Sequence, residues 1–215
     1  AEGQLVRRSI TAALVALALA TPARAITHTV TDDASLNTAM TTANAGDLIN
    51  IAAGSYTGSF VPANSGTAGS PIRIVGSQSN PTSVSTTAGL TWTEGTARAY
   101  ISWTGIKVSD DVNWWRANFC SLTYARVDSG GLGLRRTNSD ITSGGASQGN
   151  VISDCTFTQN IGADYVVHFQ GAYENTIRRC RFYGTTTAAT FEKGRGRYLF
   201  RSSNNTFTDC LLSIE

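Results

Sequence analysis

The stretch "ENTIRRCRFYG" at residues 174–184 shares its residue frame with "GNVISDCTFTQ" at 149–159 and "NNTFTDCLLSI" at 204–214. In each copy an Asn is followed two residues later by Ile or Phe, five later by Cys, and seven later by Phe or Leu. The copies begin at Asn150, Asn175 and Asn205, so they lie 25 and 30 residues apart. Internal periods of this size indicate stacked supersecondary units.

The apolar spacing within each copy predicts a corner in the chain. Ile152 and Cys155 are three residues apart, so they cannot both face inward on one straight strand. A corner is therefore expected between them, at Asp154 and at the matching Arg179 and Asp209. A chain that turns a corner in every unit coils into a solenoid, in which parallel strands stack and like residues form ladders.

Composition supports short strands and excludes one class of partner. The chain has 215 residues, enough for one domain with a sizeable core, and it carries 21 Gly but only 15% charged residues. This mixture suits strands and turns better than long helices. With 17 basic and 15 acidic residues, the charge balance predicts no nucleic acid partner.

The first 25 residues have the features of an export signal. Arg7 and Arg8 precede the apolar run "ITAALVALALA" at 10–20, and "ARA" at 23–25 is a small-x-small cleavage motif. The apolar run is too short to span a bilayer. We therefore predict a signal peptide at 1–25 with cleavage after Ala25, a β domain at 26–215 without a membrane span, and a secreted or periplasmic location.

Four cysteines in an exported chain first suggest disulfides. Here, however, Cys155, Cys180 and Cys210 occupy one position of the repeat, and Cys120 begins a similar "CSL". Stacked equivalents would lie about 4.8 Å apart, which is wide for the Cβ separation of about 3.8 Å in a relaxed disulfide. A ladder of buried thiols is favoured, with a disulfide as the open alternative. Zinc is disfavoured, because a ladder does not converge on one point.

One helix is predicted, over about residues 33–45. Its apolar residues recur at helical spacing, Asp33 is expected as the N-cap and Gly46 as the left-handed residue that ends it. The residues expected on the buried face are Leu36, Ala39, Met40 and Ala43.

The coil "NTIRRCRF" resembles the N-x-I-x-x-N-x-F coil of right-handed parallel β-helix proteins, with Cys in place of a corner Asn. Residues 34–60 and 65–76 resemble the N-terminal cap and first coil of secreted polysaccharide lyases, of the chondroitinase-B/alginate-lyase and pectate-lyase-like types. The resemblance implies an all-β, right-handed parallel β-helix with an N-terminal capping helix. The chain ends at "CLLSIE" without a closing cap, so we expect a C-terminally truncated, N-terminal part of a longer solenoid.

The resemblance implies a lyase that cleaves an acidic, uronate-containing polysaccharide by β-elimination. The alternative from another class is a non-catalytic β-helix module that binds glycan, acts in adhesion or has a structural role at a surface. Members of the family neutralise the uronate carboxylate with calcium or with Arg and Lys. No calcium site is identified in the sequence, so the cofactor stays open, and a monomer is expected.

Aligning Phe169 with Phe200 predicts one outward face on two neighbouring strands. Val167 and Phe169 then point inward, and the longer unit adds a basic loop at 185–197 beside that face. We predict catalytic roles for Lys193, His168 and Arg197, and substrate-binding roles for Arg201, Gln170 and Arg195. The competing interpretation is that these side chains are only solvated.

Asp110 and Asp111 resemble the adjacent aspartates of polygalacturonases. The accompanying Asn-Thr-Asp and Gly-His-Gly motifs are absent from the sequence, so a role in a turn is favoured for both.

Overall fold

The computed structural model describes residues 24–92, 97–135, 147–159, 166–184, 197–200 and 202–214. These residues contain helix α1 (Asp33–Thr42) and a 3₁₀ helix (Pro81–Ser83). Their strands, numbered in chain order, are β1 (Thr27–Val30), β2 (Leu48–Ile51), β3 (Gly54–Tyr56), β4 (Ile72–Val75), β5 (Val84–Thr86), β6 (Arg98–Ala99), β7 (Ile101–Thr104), β8 (Lys107–Val108), β9 (Val112–Trp115), β10 (Ala117–Asn118), β11 (Ser121–Thr123), β12 (Arg126–Asp128), β13 (Leu132–Arg135), β14 (Ser147–Gln148), β15 (Val151–Ser153), β16 (Thr156–Gln159), β17 (Val167–Gln170), β18 (Ala172–Tyr173), β19 (Thr176–Arg178), β20 (Arg181–Gly184), β21 (Arg197–Phe200), β22 (Thr206–Thr208) and β23 (Leu211–Ile214).

The strands stack into four parallel sheets that run along one solenoid. Sheet A has the order β1-β2-β4-β7-β11-β15-β19-β22, and sheet B has the order β3-β5-β8-β12-β16-β20-β23. Sheet C contains β9-β13-β17-β21, and sheet D contains β6-β10-β14-β18. Between β7 and β19, each turn of the chain passes from A to B, C and D and returns to A one strand further along. This is the predicted right-handed parallel β-helix.

Left-handed residues make the corners, as the repeat predicted. Asp154, Arg179 and Asp209 have φ of 58°, 50° and 53° between sheets A and B. Asp154 N–H donates to the Arg178 carbonyl of the next coil at 3.1 Å, so the corner keeps its backbone bonded. A left-handed conformation costs a non-Gly residue roughly 1–2 kcal/mol, and stacking between coils must offset that cost.

Buried asparagines form a ladder beside the corner between sheets D and A. Asn150 Nδ2 donates to Asn175 Oδ1 at 2.8 Å, and Asn175 Nδ2 donates to Asn205 Oδ1 at 2.8 Å. Each Oδ1 also accepts the backbone N–H of the preceding coil, for example Asn150 N–H at 2.9 Å. The asparagine side chains therefore accept hydrogen bonds from buried backbone N–H groups that have no strand partner at the corner.

The cysteine ladder is confirmed for three of the four cysteines. The strand registers place Cys155 beside Cys180 and Cys180 beside Cys210, and all four cysteines are free thiols. The expectation for Cys120 is wrong, because Ser121 pairs with Val151 and Cys120 therefore lies beside Asn150. Its N–H donates to Asn150 Oδ1 at 2.9 Å, so Cys120 continues the asparagine ladder.

The interior of the coils is filled by stacked apolar side chains. Trp92, Trp103 and Trp114 form a mutually stacked cluster with ring centroids 5.9, 5.4 and 5.2 Å apart, and Phe157 stacks on Phe182 at 4.9 Å. Phe157 and Phe182 are register partners in sheet B, whereas Trp103 of sheet A contacts Trp114 of sheet C across the interior.

Helix α1 packs against β1 and buries Leu36, Ala39 and Met40, as predicted. Its N-cap is Asp32 rather than the predicted Asp33, because the side chains of Asp32 and Ser35 form a reciprocal capping box. Its C-cap is Ala43, and Gly46, with φ of 93°, instead lies in the turn before β2.

Asn175→Leu should lower the free energy of unfolding by about 3 kcal/mol, because each buried polar group left without a partner costs about 1–3 kcal/mol. The change removes the acceptor of Asn150 N–H and the donor to the Ser147 carbonyl. Arg178→Ala, an exposed change in the adjoining strand, should cost less than about 0.5 kcal/mol. Urea unfolding checks both, and equal costs for the two variants would contradict the structural role of the ladder.

Candidate functional site

The outward side of sheet C presents two rows of polar and aromatic residues. The registers place Asn113, Gly133 and His168 in one row, and Trp115, Arg135 and Gln170 in the other. We call these six residues the sheet C face. The alternating residues of the same strands point into the core, where Trp114, Leu134 and Phe169 are fully buried.

A cation and an aromatic ring lie together at the centre of the sheet C face. The Arg135 guanidinium carbon is 5.5 Å from the centroid of the Trp115 ring. Trp115 is also fixed through its backbone, because its carbonyl accepts a hydrogen bond of 2.6 Å from Trp92 Nε1. A cation–π contact of this kind orients the guanidinium over the ring.

Gly133 leaves room in the first row for the side chains of two neighbouring residues. A Cβ atom at this position would overlap Asn113 Oδ1 and would lie 3.1 Å from Arg135 Nε, so both side chains lie over the Gly133 backbone. Asn113 is held there by a hydrogen bond of 3.1 Å from Nδ2 to Asp111 Oδ2. The second Asp111 oxygen accepts Gly131 N–H at 2.8 Å, which ties Asn113 to the turn before β13.

His168 is a neutral imidazole at neutral pH. Burial, and then the positive charge of Arg135, lower the pKa of His168 to about 4, from an ordinary value of about 6.5. The imidazole is half-buried and stands in the row next to Arg135. The face therefore combines a fixed positive charge with a side chain in the protonation state of a base.

The sequence predicted six residues for the site, and the structure describes the side chains of two of them. His168 and Gln170 are half-buried and point outward, while Val167 and Phe169 are buried, so the predicted alternation of β17 is confirmed. Arg197 is described only as the first backbone position of β21. The remaining three, Lys193, Arg195 and Arg201, lie outside the described residues.

The predicted alignment of the two strands is wrong by one position. Phe169 pairs with Leu199 rather than with Phe200, and Gln170 pairs with Phe200 rather than with Arg201. Tyr198, Leu199 and Phe200 are three consecutive large apolar residues, so the sequence contains no alternation that could fix their register. The assignments of Arg197 and Arg201 to the site stay predictions without support from that alignment.

Sequence reasoning missed Asn113, Trp115 and Arg135. The signal was present in "VNWW" and "LGLR", where Val112 and Leu132 occupy equivalent inward positions and fix the outward ones. These segments lack the Asn and Cys frame of the later coils, so their alignment with β17 was not made.

Asp110 and Asp111 have the predicted role in a turn. Asp110 Oδ1 accepts Asp111 N–H at 2.8 Å, and the carboxylate of Asp111 supports Gly131 and Asn113 as described above. Across the described ranges, no three His, Cys, Asp or Glu side chains come close enough to hold a metal ion together.

A family profile for the right-handed β-helix region matches residues 96–213. The chain belongs to the right-handed β-helix family. Comparison of this β-helix protein with curated protein sequences gives no significant match. In the described part of the chain, no helix has the length and hydrophobicity needed to cross a membrane.

Two similar solved structures are lyases. The alginate lyase from Paenibacillus sp. strain FPU-7 superposes with a TM-score of 0.62 at 18% identity, over 87% of this chain and 66% of that one. The PL6 family polysaccharide lyase from Pseudopedobacter saltans gives 0.52 at 15% identity, over 84% and 46%. The β-helix protein thus spans less than two thirds of either neighbour, and the likeness at these identities establishes the shared fold.

His168 should make the stability of this β-helix protein depend on pH. Because its pKa is lower in the folded state, the unfolded chain takes up the proton first as the pH falls. The free energy of unfolding should therefore fall as the pH is lowered from about 6.5 to about 4. Below pH 4 the protonation of His168 should lower it no further. His168→Asn should reduce that drop, measured by urea unfolding at pH 7 and pH 4.5. Gln170→Ala, on the same strand, should retain it, and identical slopes in all three proteins would refute the assignment.

Proposed function

We propose that this protein is a secreted or periplasmic polysaccharide lyase that cleaves an acidic, uronate-containing glycan by β-elimination at the sheet C face. The observation that carries the proposal is that strand pairing brings the neutral imidazole of His168, whose two ring nitrogens are buried, into the row beside the Arg135 guanidinium on sheet C. The lyase neighbours support the reaction class. A polymeric substrate does not cross a bilayer, which supports action outside the cytoplasm.

The reaction imposes two electrostatic requirements. Removal of the proton beside the uronate carboxylate develops negative charge, which a fixed cation or hydrogen-bond donor must stabilise. A base without its own proton must also stand within hydrogen-bond reach of the proton that it removes. We assign the first role to Arg135 and the second to His168.

Arg135 is suited to bind the uronate carboxylate. A guanidinium can donate two parallel hydrogen bonds to one carboxylate, which fixes the orientation of the sugar. Trp115 holds Arg135 from one side through the cation–π contact and offers its ring as an apolar surface to a sugar. Gln170, beside Arg135 in the register, is placed to hydrogen-bond hydroxyl groups.

Substrate binding should strengthen His168 as a base. Arg135 contributes to the lowered pKa of His168, and a bound carboxylate would neutralise that charge. The pKa of His168 then rises toward neutrality, where general base catalysis is most efficient. Burial and then the charge of Arg135 keep the imidazole unprotonated, and the substrate carboxylate would offset the second of these two effects.

The proposed site also includes basic residues of the segment 185–201. We assign Lys193 and Arg197 to catalysis with His168, and Arg195 and Arg201 to substrate binding with Gln170. Their support is their position in the chain, since Arg197 begins β21, the strand that pairs with β17, and the other three precede or follow that strand. Cations at this edge would attract a polyanionic glycan over about 8 Å at physiological ionic strength.

Activity should depend on His168 and Arg135 in different ways. With alginate, polygalacturonate and chondroitin sulfate as substrates, the ultraviolet absorbance of the unsaturated uronate product reports the reaction. His168→Asn should lower kcat by about 100-fold with little change in KM, because it removes a general base. Arg135→Gln should raise KM, because the carboxylate is bound in the ground state, and should also lower kcat, because the negative charge that Arg135 stabilises is greater in the transition state.

Arg178→Gln, an exposed change on sheet A, is the matched control and should leave kcat/KM unchanged. Full activity in His168→Asn would remove His168 from catalysis, and Lys193→Ala would then test the alternative base. Salt-sensitive glycan binding without any product, in the full-length protein, would favour the non-catalytic binding module over the lyase.

A further inference from the structure

A buried carboxylate lies at the beginning of the first coil, far along the chain from the sheet C face. Asp47 is only 2% exposed, in the turn between α1 and β2. Its Oδ1 accepts the backbone N–H of Ile26 at 2.7 Å, and its Oδ2 accepts that of Asn44 at 2.8 Å. His28 Nε2 lies 3.2 Å from Oδ2 and is the one titratable side chain of the described residues that contacts Asp47.

The Asp47 carboxylate is ionised, and its one side-chain partner among the described residues is His28. Burial raises the pKa of Asp47, but hydrogen bonds from the N–H groups of Asn44 and Ile26 and from His28 outweigh it, so that the pKa lies below its ordinary value. A buried carboxylate of this kind is best stabilised by a positive charge within hydrogen-bond distance. The Ile26 nitrogen occupies that place.

Ile26 is held in position immediately before the first strand. Its carbonyl accepts Leu48 N–H at 2.9 Å, so its backbone is bound on both sides, while its side chain is 56% exposed. Arg24 and Ala25 before it are exposed. Val30 is the first buried hydrophobic residue, so in the described part of the chain nothing before Ile26 belongs to the core.

The sequence predicts cleavage at the same bond. Residues 1–25 combine paired arginines, an apolar run and the "ARA" motif, which predicts Ile26 as the first residue of the mature chain. That prediction used no structural information. The structure independently places a buried carboxylate against the nitrogen that cleavage would convert into a terminal amine.

We propose that the Ala25–Ile26 bond is the maturation site of this protein and that the released α-ammonium of Ile26 forms an ion pair with Asp47. Water adds across the peptide bond, so that Ala25 leaves as a carboxylate and Ile26 keeps a protonated amine. The neutral N–H hydrogen bond to Asp47 is thereby replaced by a charge-assisted one. Removal of the leader stabilises β1 and the capping helix through this pair. The inference rests on the proposed export, and it is independent of the proposed glycan chemistry.

The first test identifies the mature N-terminus. The chain 1–215 is exported with its own leader, and its N-terminus is determined by intact mass and N-terminal sequencing. Ile26 is the expected first residue, and any other first residue overturns the proposal. Lyase activity has no bearing on this outcome, so failure here is distinguishable from failure of the proposed function.

The second test measures the ion pair. A chain that begins at Ile26 is compared with one that begins at Ala25, each with Asp47 and with Asp47→Asn. The Ile26 chain should have an unfolding equilibrium constant about tenfold lower than that of the Ala25 chain, and only when Asp47 is present, because a charged hydrogen bond exceeds a neutral one by about that factor.

The difference in stability between the Ile26 and Ala25 chains should depend on pH, which tests the proposal even if Asp47→Asn does not fold. A carboxylate partner raises the pKa of an α-amine, so the advantage is full below its unfolded value of about 8 and is lost as the pH rises through the folded value. Replacing His28 with Asn in both chains should leave that difference in place. Equal stability of the Ile26 and Ala25 chains at pH 7 would overturn the proposal.

Discussion

The structure depends on a corner that pairs a left-handed residue with an asparagine that follows it. Glu174 has φ of 55°, and Asn175, next in the chain, is fully buried between Asn150 and Asn205. The left-handed residue turns the chain sharply, and the asparagine amide replaces the hydrogen bonds that the turn removes. Because one coil supplies the acceptor and its neighbour the donor, the corner is stable only when coils are stacked.

Fixed corners also determine which side chains reach the surface. Strands β9, β13 and β17 each have four residues, so each places two residues on the outward side of sheet C. Parallel pairing then brings Trp115, Arg135 and Gln170 from three coils into one row. A site on such a solenoid is assembled from residues about 20 to 35 positions apart in the chain, and its geometry follows from the register rather than from a flexible loop.

The sequence predicted the features that repeat and missed those that do not. The Asn and Cys frame located the corners at Asp154, Arg179 and Asp209, because a three-residue spacing of inward side chains requires them. The same frame assigned Cys120 to the wrong ladder. Cys120 takes the place of Asn at the corner between sheets D and A, and only the strand register shows this. The frame also missed Arg135 and Trp115, whose strands share no frame with the later coils, and the register of β21, where three apolar residues in succession erase the alternation. The one physical property that sequence could not supply was the effect of Arg135 on His168, which arises only from their proximity.

The most direct test of the account is a nuclear magnetic resonance titration of His168 with and without a uronate oligosaccharide. The resonances of His28, which lies beside Asp47 at the start of the solenoid, serve as an internal control in the same sample. In the free protein His168 should titrate near pH 4, and the oligosaccharide should raise its pKa while it leaves the His28 resonances unchanged at constant pH. A His168 pKa that is near 4 with and without saturating oligosaccharide, or an equal response of the His28 resonances at constant pH, would contradict glycan binding at the sheet C face.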